Sequence, residues 1–394
     1  MRWDKAGWAV AILLLSAWAR AEDDPNALQV HGFVSQGFIK TTRNNYLGNT
    51  ERAQGSVDFT EVGLNVTKPL SDKLRVGLQL FAHDLGNLGN YAPQFDWYYI
   101  DYRFFDWLGL RAGKTKLPWG LYNEANDVDA GRVPVLLPQS IYPASNRELL
   151  FAQTGAELYG DVSLGAAGSL EYRLYGGTIF FNTADASIAL RDFTVPYLGG
   201  GRLMWAPPIE GLQLGSSFQA LRLDFDFSPT PEQTMQYQMA GQLPANFGGV
   251  VTARLPAKLW VASAEYQQRG LALAAEYSRT YVKYETNLVL PETDIVNQAG
   301  YVMGSYQVAP WFTPGAYYSV LLPDIHGSTK GRAHYQHDVA ATLRYDITAN
   351  WLVKVEGHFM HGTAALDPVL NANKPRSQLE KNWGVLLVKT TAYF

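Results

Sequence analysis

The links between its alternating segments constrain this chain more than any other feature. From residue 28 onward, stretches of about ten residues carry apolar side chains at every second position, and the links between them are by turns short and long. The short ones fall near Pro69–Asp72, Asp106–Leu108, Ala166–Ala167, Pro207–Glu210, Gln268–Arg269, Ala309–Thr313 and Thr348–Asn350. The long ones cover 41–56, 85–94, 118–153, 179–197, 226–255, 284–296, 322–334 and 362–380. Period two places each apolar set on one face of a sheet. A soluble sandwich would alternate too, but it has no reason to sort its links by length. Strict sorting means that the two ends of the sheet meet different surroundings. That is the pattern of an all-β, transmembrane antiparallel β-barrel with short periplasmic turns and long extracellular loops.

Sixteen strands are expected, at 28–40, 57–68, 73–84, 95–104, 109–117, 154–164, 168–178, 198–206, 211–225, 256–267, 270–283, 297–308, 314–321, 335–346, 351–361 and 381–394. In the cleanest, Leu74, Val76, Leu78, Leu80 and Ala82 share one face, with Arg75, Gly77, Gln79, Phe81 and His83 on the other. Trp107, Trp205, Trp311 and Trp351 all lie in or beside a short turn. Amphipathic rings gather at the membrane boundary, so these four predict a periplasmic aromatic girdle.

The first residues read as an export leader. Arg2 and Lys5 precede an apolar run from Ala6 to Trp18, and Ala19-Arg20-Ala21 supplies a small-x-small cleavage site. The run is too short for a membrane helix, which needs about 20 residues. Residues 1–21 are therefore expected to be removed, leaving 22–394 as the barrel. A leader with Arg2, Lys5 and Arg20 against Asp4 carries +2, so its loss takes the net charge from −4 to about −6. A mildly acidic chain is a poor partner for nucleic acid. The absence of cysteine excludes disulfides and thiolate sites. The slightly negative mean hydropathy suits a barrel, in which only alternate strand residues touch lipid.

Two stretches resemble known outer-membrane proteins. The terminal Tyr393-Phe394 closes an alternating strand and looks like the C-terminal signal read by the barrel-assembly machinery. Leu110-Arg111-Ala112-Gly113-Lys114-Thr115-Lys116-Leu117-Pro118-Trp119-Gly120-Leu121 is similar to the RxGxxKxPfGl strand-and-loop entry of the phosphate-selective porin superfamily. The resemblance is thus to a Gram-negative outer-membrane porin. It implies a homotrimeric, water-filled channel in the outer membrane, bounded by lipid and open to small hydrophilic solutes and ions. It does not bring phosphate selectivity, because no arginine ladder or lysine cluster can be matched residue by residue. A substrate-selective (anion or nutrient) channel, an outer-membrane enzyme and an adhesin are the competing readings.

The longest link, 118–153, is the third outer loop, which the resemblance implies folds inward. Its apolar Leu136, Leu137 and Ile141 have little reason to sit in water. The expected pore constriction is Glu124, Asp127, Asp129, Arg132, Arg147 and Glu148. The expected inward-facing cations of the wall are Arg75, Arg111, Arg173, Arg202, Arg344 and Lys354, with Arg75 and Arg111 opposite the loop's acids. Inward acids include Glu157, Asp161, Glu171, Glu276, Asp338 and Glu356. Charges of both signs in a narrow space would orient and sort polar solutes, or would pair off and stiffen the wall.

No cofactor or metal is expected. Glu124, Asp127 and Asp129 fall short of the six to eight oxygens that calcium takes. His326, His334 and His337 lie in or beside one outer loop, where solvated histidines are commoner than ligands. His358 faces inward with no serine set against it, so no nucleophile–base pair marks an enzyme. Gly199-Gly200-Gly201 opens a strand and not a helix, which rules out a phosphate loop.

Overall fold

A membrane-spanning sheet must pair every backbone N–H and C=O, because lipid offers no partner. The computed structural model describes residues 27–86, 88–180, 190–243, 247–289, 294–327 and 331–394; the leader expected over 1–21 lies outside them. The strands are β1 Gln29–Thr41, β2 Phe59–Pro69, β3 Leu74–Leu85, β4 Gln94–Phe105, β5 Leu108–Lys116, β6 Ala152–Ser163, β7 Ser169–Thr178, β8 Leu190–Thr194, β9 Leu198–Ala206, β10 Leu212–Phe227, β11 Val251–Gln268, β12 Leu271–Lys283, β13 Glu285–Thr286, β14 Asp294–Tyr306, β15 Phe312–Leu322, β16 Gln336–Thr348, β17 Trp351–Gly362 and β18 Asn382–Tyr393. Both β8 and β9 pair with β10 and form one interrupted strand. In the same way β13 prolongs β12 along β11. Sixteen strands therefore run around the wall. All pairings are antiparallel, and β1 pairs with both β2 and β18, so the sheet has no free edge. Gly32 and Phe394 exchange backbone hydrogen bonds at the seam, 3.1 and 3.0 Å long.

Side-chain alternation fixes which face meets lipid. Along β16, Asp338, Ala340 and Thr342 are buried inside while Val339, Ala341 and Leu343 are exposed outside. Along β17, Lys354, Glu356 and His358 are buried and Phe359 is exposed. At the turn end, Phe105 stacks on Trp107 at 5.3 Å, and Tyr345 stacks on Phe312 at 5.1 Å and on Trp311 at 6.4 Å. These rings make the aromatic girdle that the tryptophans predicted. The Arg269–Gly270 turn has positive φ at both residues (51° and 82°), as the tightest hairpin turn requires.

Strand edges moved most where charge interrupts the pattern. The sequence started the tenth strand at 256, but β11 begins at Val251. Val251, Ala253 and Leu255 are buried while Thr252 and Arg254 are not, so the alternation runs five residues further. Arg254 in an otherwise apolar stretch concealed that continuation.

Inside the wall, segment 117–151 contributes to two apolar clusters. Leu117, Trp119, Leu137, Ile141 and Tyr142 pack on Tyr175, Leu198, Leu221, Val261, Ala274 and Tyr301. Val135 and Leu136 pack with Ile39, Tyr46, Met360, Leu366, Leu379 and Trp383. Tyr46 comes from the first outer loop, and Leu366 and Leu379 from the last, so these loops close over the segment.

Candidate functional site

The polar side chains of segment 117–151 meet the inner wall at four places. At its start, the N–H of Gly120 donates to Ser217 Oγ (3.1 Å) and that of Leu121 to Glu276 Oε1 (2.9 Å). Glu276 on β12 also accepts from Ser263 (2.5 Å), from Tyr301 (2.8 Å) and from the Tyr142 hydroxyl. This buried carboxylate ties the entry and the middle of the segment to β10–β14.

Glu124 meets the second anchor. Arg173 of β7 reaches it at 2.6 Å and Arg202 of β9 at 3.0 Å. These two belong to a row of alternating sign along the wall. Arg75 lies 2.9 Å from Asp101, Arg111 lies 3.4 Å from Asp101 and 3.7 Å from Glu157, and Arg173 lies 2.7 Å from Glu157. Arg202 lies 2.8 Å from Glu171. Tyr99 and Tyr159 fill the gaps, with Arg111 4.8 and 5.2 Å from their ring centres. Strand register puts Arg75, Asp101, Arg111 and Glu157 directly side by side.

Asp127 makes the third anchor. It accepts from Lys116 (2.7 Å) and Gln79 (2.9 Å). Gln79 also donates to Asp96 and accepts from Trp97 Nε1. Asp96 is held in turn by both terminal nitrogens of Arg147 (2.8 and 2.6 Å), whose guanidinium lies 4.0 Å from the Phe151 ring centre. A register shift between Gln79 and Leu80 lets the consecutive Asp96 and Trp97 both turn inward. Glu148 is half exposed and accepts from Gln94.

The fourth anchor is the most buried. Asp129 takes Lys354 Nζ at 3.0 Å, Lys389 Nζ at 3.3 Å and the Thr391 hydroxyl at 2.7 Å, with Arg132 at 3.8 Å. Both lysines are fully buried. Lys354 also donates to the carbonyls of Asp129 and Arg132, and Arg344 to those of Ala130 and Arg132. Next to it, Glu356 accepts from the N–H groups of Val135 (2.7 Å) and Leu136 (2.9 Å). His358 stands between Glu356 and Asp338, each 3.0 Å from a different ring nitrogen. Protons on both nitrogens satisfy that arrangement.

Electrostatics keep the loop's acids ionised. Burial alone would raise the carboxyl of Asp129, but Lys354, Lys389 and Arg132 outweigh it and hold it far below the ordinary range. The same contest, won by Lys116, lowers Asp127. Arg173 and Arg202 win it at Glu124.

The three acids are therefore paired differently from the sequence expectation. They make no ion pair with Arg75 or Arg111, which are bound by Asp101 on the wall itself, although the Arg111 charge still helps to lower Glu124. Glu124 takes Arg173 and Arg202, Asp127 takes Lys116, and Asp129 takes Lys354 and Lys389. Gln79 is also more than a lumen-facing spectator, since three partners share its amide. Lys116, Lys389 and Asp96 were absent from the expected constriction and wall, although Lys116 lies in the strand-and-loop motif. Lys389 was visible in principle, as an inward lysine between Leu387 and Thr391 on an otherwise apolar strand. Below the segment, a hollow of about 570 Å³ opens at the turn end, with Glu210, Gln213, Glu265 and Gln267 in its lining. Among the described residues, no group of three metal-ligating side chains gathers.

No family model matches the chain, and no curated protein matches its sequence. Solved structures do. An anion-selective porin from Comamonas acidovorans is similar at TM-score 0.58 and 11% identity, over 93% of this chain and 99% of that one. OmpF of Salmonella typhi is similar at 0.56 and 15%, over 95% and 99%. OmpT, an outer membrane protein of Vibrio cholerae, in its trimer form, is similar at 0.56 and 11%, over 94% and 100%. At these identities the likeness is one of fold: the chain has the porin type of sixteen-strand barrel.

Proposed function

We propose that this protein is an outer-membrane porin, a passive channel for small hydrophilic solutes and ions in a Gram-negative bacterium. The observation that carries the reading is a closed barrel whose inner wall is lined with charge while its outer wall is apolar. Such a wall separates water inside from lipid outside. Segment 118–153 is the constriction in this reading, and four anchors on the wall support that role. Residues 1–21 serve as the export leader and are cleaved, the terminal Tyr393-Phe394 is read by the assembly machinery, and three copies associate. The reading is of a channel, not of an enzyme or an adhesin. Purified protein added to a planar lipid bilayer should give steady, stepwise conductance. Protein that is folded but fails to conduct would overturn the proposal.

An anion-preferring channel is the second reading, favoured by the four arginines on one wall and by the Comamonas porin. Each of those arginines already has a carboxylate within 3.4 Å, however. Pairing cancels much of their field at a distance, so weak selectivity is the expected result. A reversal potential under a salt gradient measures it directly.

A further inference from the structure

Spacing along the chain groups His337 with His326 and His334, but the sheet gives it another companion. His337 on β16 and His361 on β17 are register partners, with ring centres 6.1 Å apart. Both side chains point out of the barrel: their neighbours Gln336, Asp338 and Met360 are buried, while Val339 and Phe359, two positions along, are exposed. His337 stands eleven residues above the turn end of β16 at Thr348, and His361 ten above Trp351. At about 3.4 Å per residue and a tilt of about 40°, that is roughly 26–29 Å of height. The apolar band of such barrels is about 25 Å tall, so the pair stands at the outer rim, within reach of water.

Each imidazole is fixed through its Nδ1. His337 Nδ1 lies 2.7 Å from the Tyr318 hydroxyl, and His361 Nδ1 lies 2.5 Å from Asn382 Oδ1. A proton on each Nδ1 satisfies both contacts and leaves a lone pair on each Nε2. Stacking holds the ring planes, with Tyr318 on His337 at 6.0 Å and Tyr335 on His361 at 5.3 Å. The Tyr335 hydroxyl lies 3.3 Å from His361 Nε2, so an oxygen donor already stands at that lone pair. Metal-binding histidines are prepared in this way, one nitrogen held by a hydrogen bond so that the other presents its lone pair. A metal about 2.0–2.1 Å from one nitrogen of each ring keeps the two ring centres roughly 5–6.5 Å apart. The observed separation of 6.1 Å falls within that span.

We propose that His337 and His361 bind a divalent late-transition ion, Cu²⁺ most tightly and Zn²⁺ less so, at the outer rim of the barrel. Two imidazole nitrogens anchor the ion, and the Tyr335 hydroxyl and water complete its shell. Imidazole suits copper and zinc, and copper leads the affinity order of the first-row divalent ions. Calcium and magnesium take oxygen ligands and have no use for such a pair. The two ligands come from different strands, so only the folded barrel forms the site, and a bound ion stabilises the fold. The site lies outside the wall, away from the lumen, and does not depend on the pore reading.

Titration calorimetry of the detergent-extracted protein, prepared without a histidine tag, tests it with Cu²⁺ and separately with Zn²⁺. The unaltered chain should bind one ion per chain in a saturable step, and Ca²⁺ in excess should not compete. Electron paramagnetic resonance of the Cu²⁺ form should show coupling to two nitrogens. H337Q/H361Q should lose the step, whereas H326Q/H334Q should bind like the unaltered chain. Removing a partner that orients a metal-bound histidine costs about 10–100-fold in affinity, so N382A should weaken binding by about that factor. No saturable step in the unaltered chain, an unchanged step in H337Q/H361Q, or its loss in H326Q/H334Q would overturn the proposal. Should H337Q/H361Q fail to fold, the two-nitrogen coupling and H326Q/H334Q still decide it. Folded protein that binds Cu²⁺ but conducts nothing would count against the pore reading and leave this site standing.

Discussion

Asp129 illustrates how much one buried carboxylate can hold in place. It neutralises two fully buried lysines on neighbouring strands and fixes the turn between the acidic and apolar halves of the third loop. Breaking a buried pair from one side costs roughly 3–5 kcal/mol, because the remaining charge is left without a partner. Asp129→Asn should therefore loosen the loop, seen as noisier single-channel traces and faster proteolytic nicking between Asp129 and Arg147. The pH dependence follows from the same group. A carboxyl whose folded pKa lies below its unfolded value of about 3.9 stabilises at pH above that value, and the contribution fades only as pH falls through the folded value. Glu124, Asp127 and Asp129 are all lowered in this way. These three carboxyls should then contribute no change in conductance between about pH 8 and about pH 5, and enter only in stronger acid. A step near neutrality would show that another group controls the loop.

At the scale of elements, the strands and the third loop answer to different surroundings. Leu78 on β3 faces lipid, and arginine near the midplane of a barrel costs roughly 2–4 kcal/mol. Leu78→Arg should reduce the folded, heat-modifiable form on a gel. The inward Arg75 is half exposed, and its partner Asp101 keeps Arg111 and Tyr159, so Arg75→Gln should leave that form intact. Similar damage from both would mean the faces are misassigned. For the loop, Glu124→Gln leaves Arg173 and Arg202 with one carboxylate fewer and should shift the reversal potential toward anions. Deleting most of the stretch between Asp129 and Arg147 should raise conductance. Asp294→Asn, on another outer segment, should alter neither; Glu292 beside it lies outside the described residues. Unchanged conductance after the loop deletion would move the constriction elsewhere.

For the whole molecule, closure of the sheet and the assembly of copies are separate questions. Closure removes every edge, so a single barrel is complete in itself. Association is expected through part of the apolar outer wall, and light scattering of detergent-extracted protein should give close to three times the mass of one mature chain. A uniform monomer in several mild detergents would count against it. The same preparation should begin at Glu22 if cleavage follows Ala21, which N-terminal sequencing reads.

Period-two patterning determined the architecture before any contact was known. Strand number, turn and loop ends, the faces of the strands outside the β4 bulge and the girdle at Trp107 and Trp311 all follow from local alternation, because each residue's choice between lipid and water is made alone. The electrostatic partners were not local. Which cation meets Glu124, Asp127 or Asp129 depends on where a 35-residue segment crosses the lumen, and that is set by apolar packing of Leu137, Ile141 and Tyr142 against strands far away in sequence. Asp96 escaped notice because a bulge broke the alternation that would have revealed it, and β11 ran long because Arg254 resembled a loop residue. The sequence could show that charges of both signs line the interior. Only the tertiary structure decided that they are paired, since pairing needs distances, and distances across a barrel are fixed by closure of the sheet and not by spacing along the chain.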